Sequence, residues 1–190
     1  MPANFSQKQL EAVSESSFSE ANLNSLPPLT DEQTTALENM AERDTYLLHG
    51  TTGSGKTRLY IELAAQAVAA GKSAIILTPE ISLTAQLANN FRKVFGERVI
   101  VLHSQQAPAE RQKAWLDALR SDANQPRIVI GPRSALFCPL PKVGLIVLDE
   151  AHEAAYKQES APQYQTGRVA SYLAGVTHAM LVLGLGHAQR

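Results

Sequence analysis

The chain has 190 residues, a hydrophobic fraction of 44% and a formal net charge of −1. This length suits one domain of ordinary size, and the hydrophobic fraction is sufficient for a buried core. No apolar run reaches the roughly 18 residues that a membrane span needs, and the N-terminus lacks the basic region and apolar stretch of a secretory signal. A single cysteine, Cys138, excludes an internal disulfide and is typical of a protein from the reducing cytoplasm.

Charge is unevenly distributed along the chain. Residues 1–44 contain two bases and eight acids, whereas residues 45–190 contain fifteen bases and ten acids. An excess of bases is compatible with a phosphate-bearing partner, although solvated Lys and Arg side chains are equally ordinary. Residues 1–27 are rich in Ser, Asn and Glu, and we interpret them as a tail or linker that precedes a domain over residues 28–190.

Helical and strand-like patterns alternate through this domain. Thr30 is a candidate N-cap for the first helix and Pro108 stands in the first turn of a later one. The predicted helices are 29–43, 56–72, 81–95, 108–122 and 166–175, and the predicted strands are 46–50, 73–79, 98–104, 127–131, 143–150 and 179–184. Near-continuous Val, Ile and Leu runs that alternate with helices predict an α/β fold with a mostly parallel sheet covered on both faces.

A glycine-rich loop follows the first predicted strand and opens a helix. It fits the pattern G-x-x-x-x-G-K-[ST] in full and consists of Gly50, Thr51, Thr52, Gly53, Ser54, Gly55, Lys56 and Thr57. Such glycines let backbone N–H groups point at phosphates, and the helix N-terminus adds positive potential. We expect Lys56 to reach the β- and γ-phosphates of a nucleotide and the Thr57 hydroxyl to bind Mg²⁺. The alternative, a chance glycine turn, does not explain the strand–loop–helix context.

Two adjacent acids end the predicted strand 143–150. Open α/β sheets bind ligands at this carboxyl edge, so we expect Asp149 to hold Mg²⁺ and Glu150 to orient and deprotonate a water molecule. Neighbouring residues on a strand point to opposite sides, so the two acids can serve different atoms only if the chain turns between them. The alternative is a solvated acidic cap, which is common on its own.

Other side chains leave alternatives open. The amide of Gln33 could pair with adenine or belong to an exposed helix surface. Trp115 is more often a core anchor than a platform for base stacking, and Cys138 is expected to pack rather than react. Tyr156 and Lys157 follow the two acids and could meet a nucleic-acid strand.

The order of these motifs resembles superfamily 2 helicases and, more narrowly, the primosomal replication-restart helicases of bacteria. The resemblance covers residues 28–184 and is carried by the segments LTDEQ, GTTGSGKT, LTPEISLTAQ, LHS, GPRSALFCP, GLIVLDEAH and YKQ. It implies a RecA-like P-loop NTPase lobe, a three-layer sandwich, with ATP and Mg²⁺ as ligands. It also implies a 3′-to-5′ DNA helicase that acts on single-stranded or forked DNA, with primosome proteins as possible partners.

The resemblance assigns roles to individual residues. Gln33 would read adenine, Lys56 and Thr57 would contact phosphate and metal, and Asp149 and Glu150 would hold the metal and activate water. His152 would couple hydrolysis to motion. The single-stranded DNA path would include Thr84, Arg133 and Ser134 as phosphate contacts, together with Tyr156 and Lys157 from an aromatic-rich loop.

The chain also departs from the family pattern. After Gly184 the family continues with Ser-Ala-Thr, whereas this sequence reads Leu185, Gly186 and His187. A second RecA-like lobe, its arginines and its zinc-binding cysteines do not follow, so zinc is not expected. We therefore expect the 190-residue polypeptide to bind ATP weakly, hydrolyse it slowly and unwind nothing alone. It could instead be a non-enzymatic nucleotide- and DNA-binding module, or half of a split helicase whose second lobe is supplied in trans.

Overall fold

A computed structural model describes residues 23, 26–40, 45–51, 53–79 and 81–186. The interpretation of residues 1–27 as a tail falls almost entirely outside this part of the chain and stays a prediction. Within the described residues, no helix has the length and apolar character needed to span a membrane.

Six parallel strands form one sheet, and they are β1 (Thr45–His49), β2 (Ser73–Leu77), β3 (Val99–Val101), β4 (Ile128–Gly131), β5 (Val143–Leu148) and β8 (Met180–Leu185). Their order across the sheet is β1-β8-β5-β2-β4-β3. The helices are α1 (Asp31–Glu38), α2 (Lys56–Ala69), α3 (Ile81–Phe95), α4 (Pro108–Leu119) and α5 (Thr166–Thr177). The predicted alternation of helices and strands is confirmed.

Helices cover both faces of the sheet, because successive residues of each strand face opposite sides. On one face, Ala74 and Ile76 of β2 pack with α1, α2 and α3. On the other face, Ile75 and Leu77 pack with α4 and α5. The result is the three-layer α/β sandwich that the sequence predicts.

Several predicted elements are shorter in the structure than in the sequence analysis, and helix α1 and strand β3 are shortened most. Helix α1 ends at Glu38, with Asn39 as its C-cap, rather than at residue 43. Strand β3 ends at Val101 because the side chain of Gln106 turns the chain there: its Nε2 donates to the Val101 carbonyl at 2.8 Å, and its Oε1 accepts from the His103 N–H at 3.1 Å. A side chain that caps a strand in this way has no periodic signature.

A small hairpin follows β5 and was not predicted. Its strands are β6 (Lys157–Gln158) and β7 (Tyr164–Gln165), which pair antiparallel. A short 3₁₀ helix at residues 154–156 directly precedes the hairpin, and another at residues 133–137 lies between β4 and β5. Two-residue strands are too short for the alternation from which strands are predicted.

The expectation that Trp115 anchors the core is wrong. Helix α4 meets the sheet through Ala114 and the fully buried Ala118, whereas Trp115 is 39% exposed. Cys138, by contrast, is buried, and burial raises the pKa of its thiol to about 12. It is therefore a packing residue in its thiol form, as the sequence analysis expects.

Candidate nucleotide site

The glycine-rich loop and the two acids lie at the same edge of the sheet. The loop follows β1 and the acids follow β5, and β8 separates these two strands. In a parallel sheet all carboxyl ends meet at one edge, so segments far apart in sequence come together there. The structure thus brings together the two motifs that the sequence analysis assigns to a nucleotide.

The backbone of the loop depends on its glycines. Gly53 and Gly55 have φ values of +84° and +86°, a region that favours glycine. A Cβ atom on Gly55 would overlap the amide nitrogen of Gln33, and one on Gly50 would lie 2.5 Å from the Ser54 hydroxyl. The loop can therefore adopt this conformation before α2 only with glycine at these three positions.

The remaining loop residues present polar groups near the surface. Thr51 and Ser54 are exposed, and the Ser54 N–H donates to the Thr51 carbonyl at 3.0 Å. Thr57 is half-buried in the first turn of α2. Thr52 lies outside the described residues, and its predicted phosphate contact stays a prediction.

Lys56 links the loop to the acids. Its side chain is buried, with 9% exposed, and its ammonium donates to the Gly50 carbonyl at 2.9 Å. The same nitrogen lies 3.3 Å from Glu150 Oε1. An ammonium carries three N–H donors, so Lys56 can keep its bond to Gly50 and still exchange Glu150 for another anion.

The chain turns between the two acids, as the sequence analysis requires. Glu150 has a φ of +49°, a left-handed conformation that is uncommon for residues other than glycine. The Glu150 side chain faces Lys56, and its Oε2 accepts from the Gly186 N–H at 2.8 Å. Asp149 points elsewhere, to the Tyr60 hydroxyl. The two carboxylates can therefore serve different atoms.

Two buried tyrosines hold Asp149. The Tyr60 hydroxyl donates to Asp149 Oδ1 at 2.9 Å, and the Tyr156 hydroxyl donates to the Asp149 backbone carbonyl at 2.7 Å. Burial raises the pKa of the Asp149 carboxyl, while the hydrogen bond from Tyr60 opposes that rise. Burial likewise raises the pKa of each tyrosine hydroxyl, so both stay protonated donors.

Sequence reasoning missed the position of Tyr60, although a signal was present. Tyr60 is four residues after Lys56 in α2, which puts both side chains on one face of that helix. A fully buried phenol needs a hydrogen-bond partner, and the carboxyl edge of the sheet offers an acid.

The amide of Gln33 is engaged in two local contacts. Its Oε1 accepts from the Thr30 N–H at 3.0 Å, which completes the capping box of α1. Its Nε2 donates to the Gly55 carbonyl at 3.4 Å. Gln33 therefore lies over the loop, and adenine binding would use its remaining lone pair and N–H or replace these contacts.

The structure separates the predicted DNA contacts into buried and exposed groups. Thr84 and Tyr156 are 1% and 5% exposed, and the Thr84 hydroxyl pairs with that of Thr78, so a DNA strand would reach these two side chains only after a local rearrangement, and their predicted role stays a prediction. Arg133 donates to the Ala155 carbonyl at 2.5 Å and to the Lys157 carbonyl at 3.4 Å, which ties its 3₁₀ helix to the one at residues 154–156 and to the start of the hairpin.

Ser134 and Lys157 are exposed, and they keep the predicted role as a proposal. His152 lies nearer the acids: it is 48% exposed, and its Nδ1 is 3.8 Å from Glu150 Oε2. It is therefore placed beside the residue whose chemistry it is predicted to couple.

A divalent cation would depend on the nucleotide for part of its ligand shell. In the part of the chain that the structure describes, no three His, Cys, Asp or Glu side chains converge to hold a metal ion. Asp149 and Thr57 supply one carboxylate and one hydroxyl at the loop edge. Mg²⁺ is commonly held by one or two carboxylates together with substrate phosphates, and these residues fit that arrangement.

The Tyr60→Phe substitution is expected to raise the pKa of Asp149 further. The hydrogen bond from Tyr60 favours the charged carboxylate, so its loss favours the protonated form. The pKa can be read from the carboxyl ¹³C shift of Asp149 in an NMR titration. Tyr156→Phe is the matched control, because that hydroxyl contacts the Asp149 backbone rather than its carboxylate.

The same substitution has a consequence for stability. Because the folded state holds the Asp149 proton more tightly than the unfolded chain, the free energy of unfolding falls as pH rises from the unfolded to the folded pKa. This window should extend to higher pH in Tyr60→Phe. An equal pKa for Asp149 in both tyrosine variants would contradict the assignment.

Gly184→Ala is expected to destabilise the domain, because the added Cβ would overlap the buried Tyr60 hydroxyl and lie 3.2 Å from Asp149 Oδ1. Overpacking of this kind costs about 1–3 kcal/mol. Gly175→Ala, on the exposed face of α5 with open space around it, should instead stabilise by about 0.5–1 kcal/mol. Urea unfolding followed by circular dichroism measures both, and changes of the same sign would refute the packing argument.

Comparison with known proteins identifies the family. The sequence profile of the DEAD/DEAH box helicases matches residues 30–180. The replication restart protein PriA of Bacillus subtilis strain 168 is 43% identical over 163 residues, and that of Synechocystis is 40% identical over 167 residues. These alignments cover 83% and 86% of this chain but 20% of each relative, so the chain spans about a fifth of their length.

Solved structures agree with the fold. The helicase domain of Pyrococcus furiosus Hef superimposes with a TM-score of 0.60 at 25% identity, over 83% of this chain and 32% of that one. RecG bound to a three-way DNA junction gives a TM-score of 0.63 at 21% identity, over 87% of this chain and 22% of that one. At this sequence identity the similarity to RecG concerns only the fold.

The comparisons confirm the predicted RecA-like fold class and the resemblance to replication-restart helicases. A helicase domain of this kind implies ATP and a divalent cation as ligands. On the match over residues 30–180, the chain belongs to the DEAD/DEAH box helicase family.

Proposed function

We propose that this chain is the ATP-binding lobe of a replication-restart DNA helicase that moves 3′ to 5′ along single-stranded DNA. The observation that carries the proposal is the double contact of Glu150. Its carboxylate lies 3.3 Å from the Lys56 ammonium and accepts from the Gly186 N–H at 2.8 Å. One side chain thus joins the phosphate loop to the segment that follows β8.

Nucleotide binding would change the partner of Lys56. In the arrangement described, Glu150 neutralises the Lys56 ammonium. When Lys56 exchanges this carboxylate for a phosphate oxygen, Glu150 becomes available to orient a water molecule and accept its proton. Asp149 and Thr57 would hold a bound Mg²⁺, which supplies charge neutralisation for the phosphates.

Coupling to motion would run through the end of β8. The Ala151 N–H donates to the Gly184 carbonyl at 2.7 Å, and Glu150 accepts from Gly186. A change in the position of Glu150 therefore acts directly on the backbone of this segment. His152, 3.8 Å from Glu150, would transmit the change to residues beyond it.

The proposal extends to the partners of the longer relatives. Single-stranded or forked DNA would contact Ser134, Lys157 and the Arg133 segment at the surface. Primosome proteins, a cytoplasmic location and a second helicase lobe, in the same chain or supplied in trans, belong to the same proposal. Support for them comes from the relatives that are named replication restart proteins.

Lys56→Ala is expected to weaken Mg·ATP binding, because a charged hydrogen-bond donor to phosphate is lost. Such a donor contributes about 1.5–3 kcal/mol, which corresponds to a loss of roughly 10- to 150-fold in affinity. Isothermal titration calorimetry measures the effect. Lys142→Ala removes the same charge from an exposed position just before β5, at the opposite edge of the sheet, and should leave the affinity unchanged. Equal affinities for both variants would refute the assignment.

The Glu150→Gln substitution tests whether the chain hydrolyses ATP or only binds it. The variant keeps the size of the side chain but cannot accept a proton, so it should bind Mg·ATP while phosphate release falls by roughly 10²–10⁴-fold, the usual contribution of general acid–base catalysis. Phosphate release is measured with and without oligo(dT). If the unsubstituted chain binds ATP and DNA but releases phosphate no faster than Glu150→Gln, the chain is a non-enzymatic module.

A further inference from the structure

Apart from the nucleotide site, a cleft opens at the carboxyl edge of the sheet, next to the ends of β3 and β4. It has a volume of about 320 Å³ and is lined by Leu102, His103, Ser104, Arg111, Trp115 and Ser134. We propose that this cleft holds one nucleotide of a single-stranded nucleic acid, with the base stacked on Trp115 and the adjoining phosphate bound by Arg111. The proposal rests on the proposed function, because it names a subsite for the DNA strand of that function.

The position of Trp115 is unusual for a core residue and suits a stacking surface. Helix α4 contacts the sheet through Ala114 and Ala118, so Trp115 is not needed to fill the core. Its indole is 39% exposed and forms one wall of the cleft. Aromatic side chains in a groove stack with any base, because every base has a π face.

The polar groups of the cleft suit a phosphate and a base edge. Arg111 is exposed and precedes Trp115 by four residues, so the two side chains share one face of α4. Ser104 and Ser134 are exposed and contribute hydroxyls. Among the described lining residues there is no carboxylate, so nothing in the wall repels an anion.

His103 forms part of the wall of the cleft. Its backbone N–H is held by Gln106 Oε1 at 3.1 Å, which fixes the residue at the end of β3. Its ring Nδ1 is buried and has no hydrogen-bond partner within the part of the chain that the structure describes. Because this nitrogen is buried, His103 supports the proposal only as part of the wall.

The location argues for a base of a strand rather than the adenine of ATP. Strand β4 is separated from β5, which carries the acids, by β2 alone. Two strand spacings correspond to about 10 Å, and β1 with the glycine-rich loop lies farther away. The cleft includes Ser134, from the 3₁₀ helix that follows β4 at the same edge of the sheet. A strand along this edge would reach Trp115 directly.

The chain contains a single tryptophan, so its fluorescence reports on this cleft alone. Oligo(dT) is expected to quench Trp115 over the same concentration range in which a labelled oligo(dT) gains anisotropy. An oligonucleotide of equal length and charge with abasic residues should bind more weakly and leave the fluorescence unchanged. Quenching should persist in Lys142→Ala, because that exposed lysine lies at the opposite edge of the sheet from the cleft.

Substitutions test the stacking and the phosphate contact separately. Trp115→Ala should lower the affinity for oligo(dT) by about 5- to 150-fold, and Trp115→Phe should recover much of it. Arg111→Ala should reduce the slope of log affinity against log salt by about 0.7. Tyr172→Ala, which removes an aromatic side chain that is 76% exposed on α5, is the matched control and should change neither quantity.

Three results would overturn the proposal. If Trp115→Ala binds oligo(dT) as well as the unsubstituted chain, DNA binds elsewhere and the proposed function survives without this subsite. If oligo(dT) does not bind even at low salt, both the subsite and the DNA part of the proposed function fail. If Trp115 fluorescence responds only to protein concentration, α4 is a contact between copies of this chain.

Discussion

The ion pair between Lys56 and Glu150 joins the two halves of the candidate site. It forms because β1 and β5 are parallel, so that the segments leaving their carboxyl ends meet across β8. Both side chains are largely withdrawn from water. A charge left unpaired in such surroundings would cost several kcal/mol. The pairing therefore sets the resting position of the lysine and of the acid, and a phosphate group must compete with a contact that already exists.

Close backbone approach is the second constraint on the site. Glu150 adopts a left-handed turn, and Gly184 and Gly186 leave room for the side chains of Tyr60 and Glu150. A Cβ atom at either glycine would enter space that these side chains occupy. The last strand thus contributes no catalytic group of its own, yet its backbone shapes the positions of both acids.

Much of the fold and part of the site could be predicted because their signals are local. The alternation of apolar runs with helices predicted the layers, and the pattern from Gly50 to Thr57 predicted the loop. The contact of Tyr60 with Asp149 could not be read directly, since it depends on how α2 packs against β5. Trp115 was misplaced for a similar reason: two alanines of α4 make the contact with the sheet that a large residue was expected to make.

The sheet order also has a consequence for folding. Among the six described strands of the sheet, β1 comes first in the sequence, yet it lies at the edge and pairs with β8, which comes last of the six. During synthesis from the N-terminus, β2, β4 and β5 can associate before residues 180–185 are made. Until then β1 lacks the strand with which it pairs. The glycine-rich loop therefore reaches its final place only after residues 180–185 have been synthesised, and such long-range pairing is slow. Until then, the edge of β5 that β8 will cover is open to other chains.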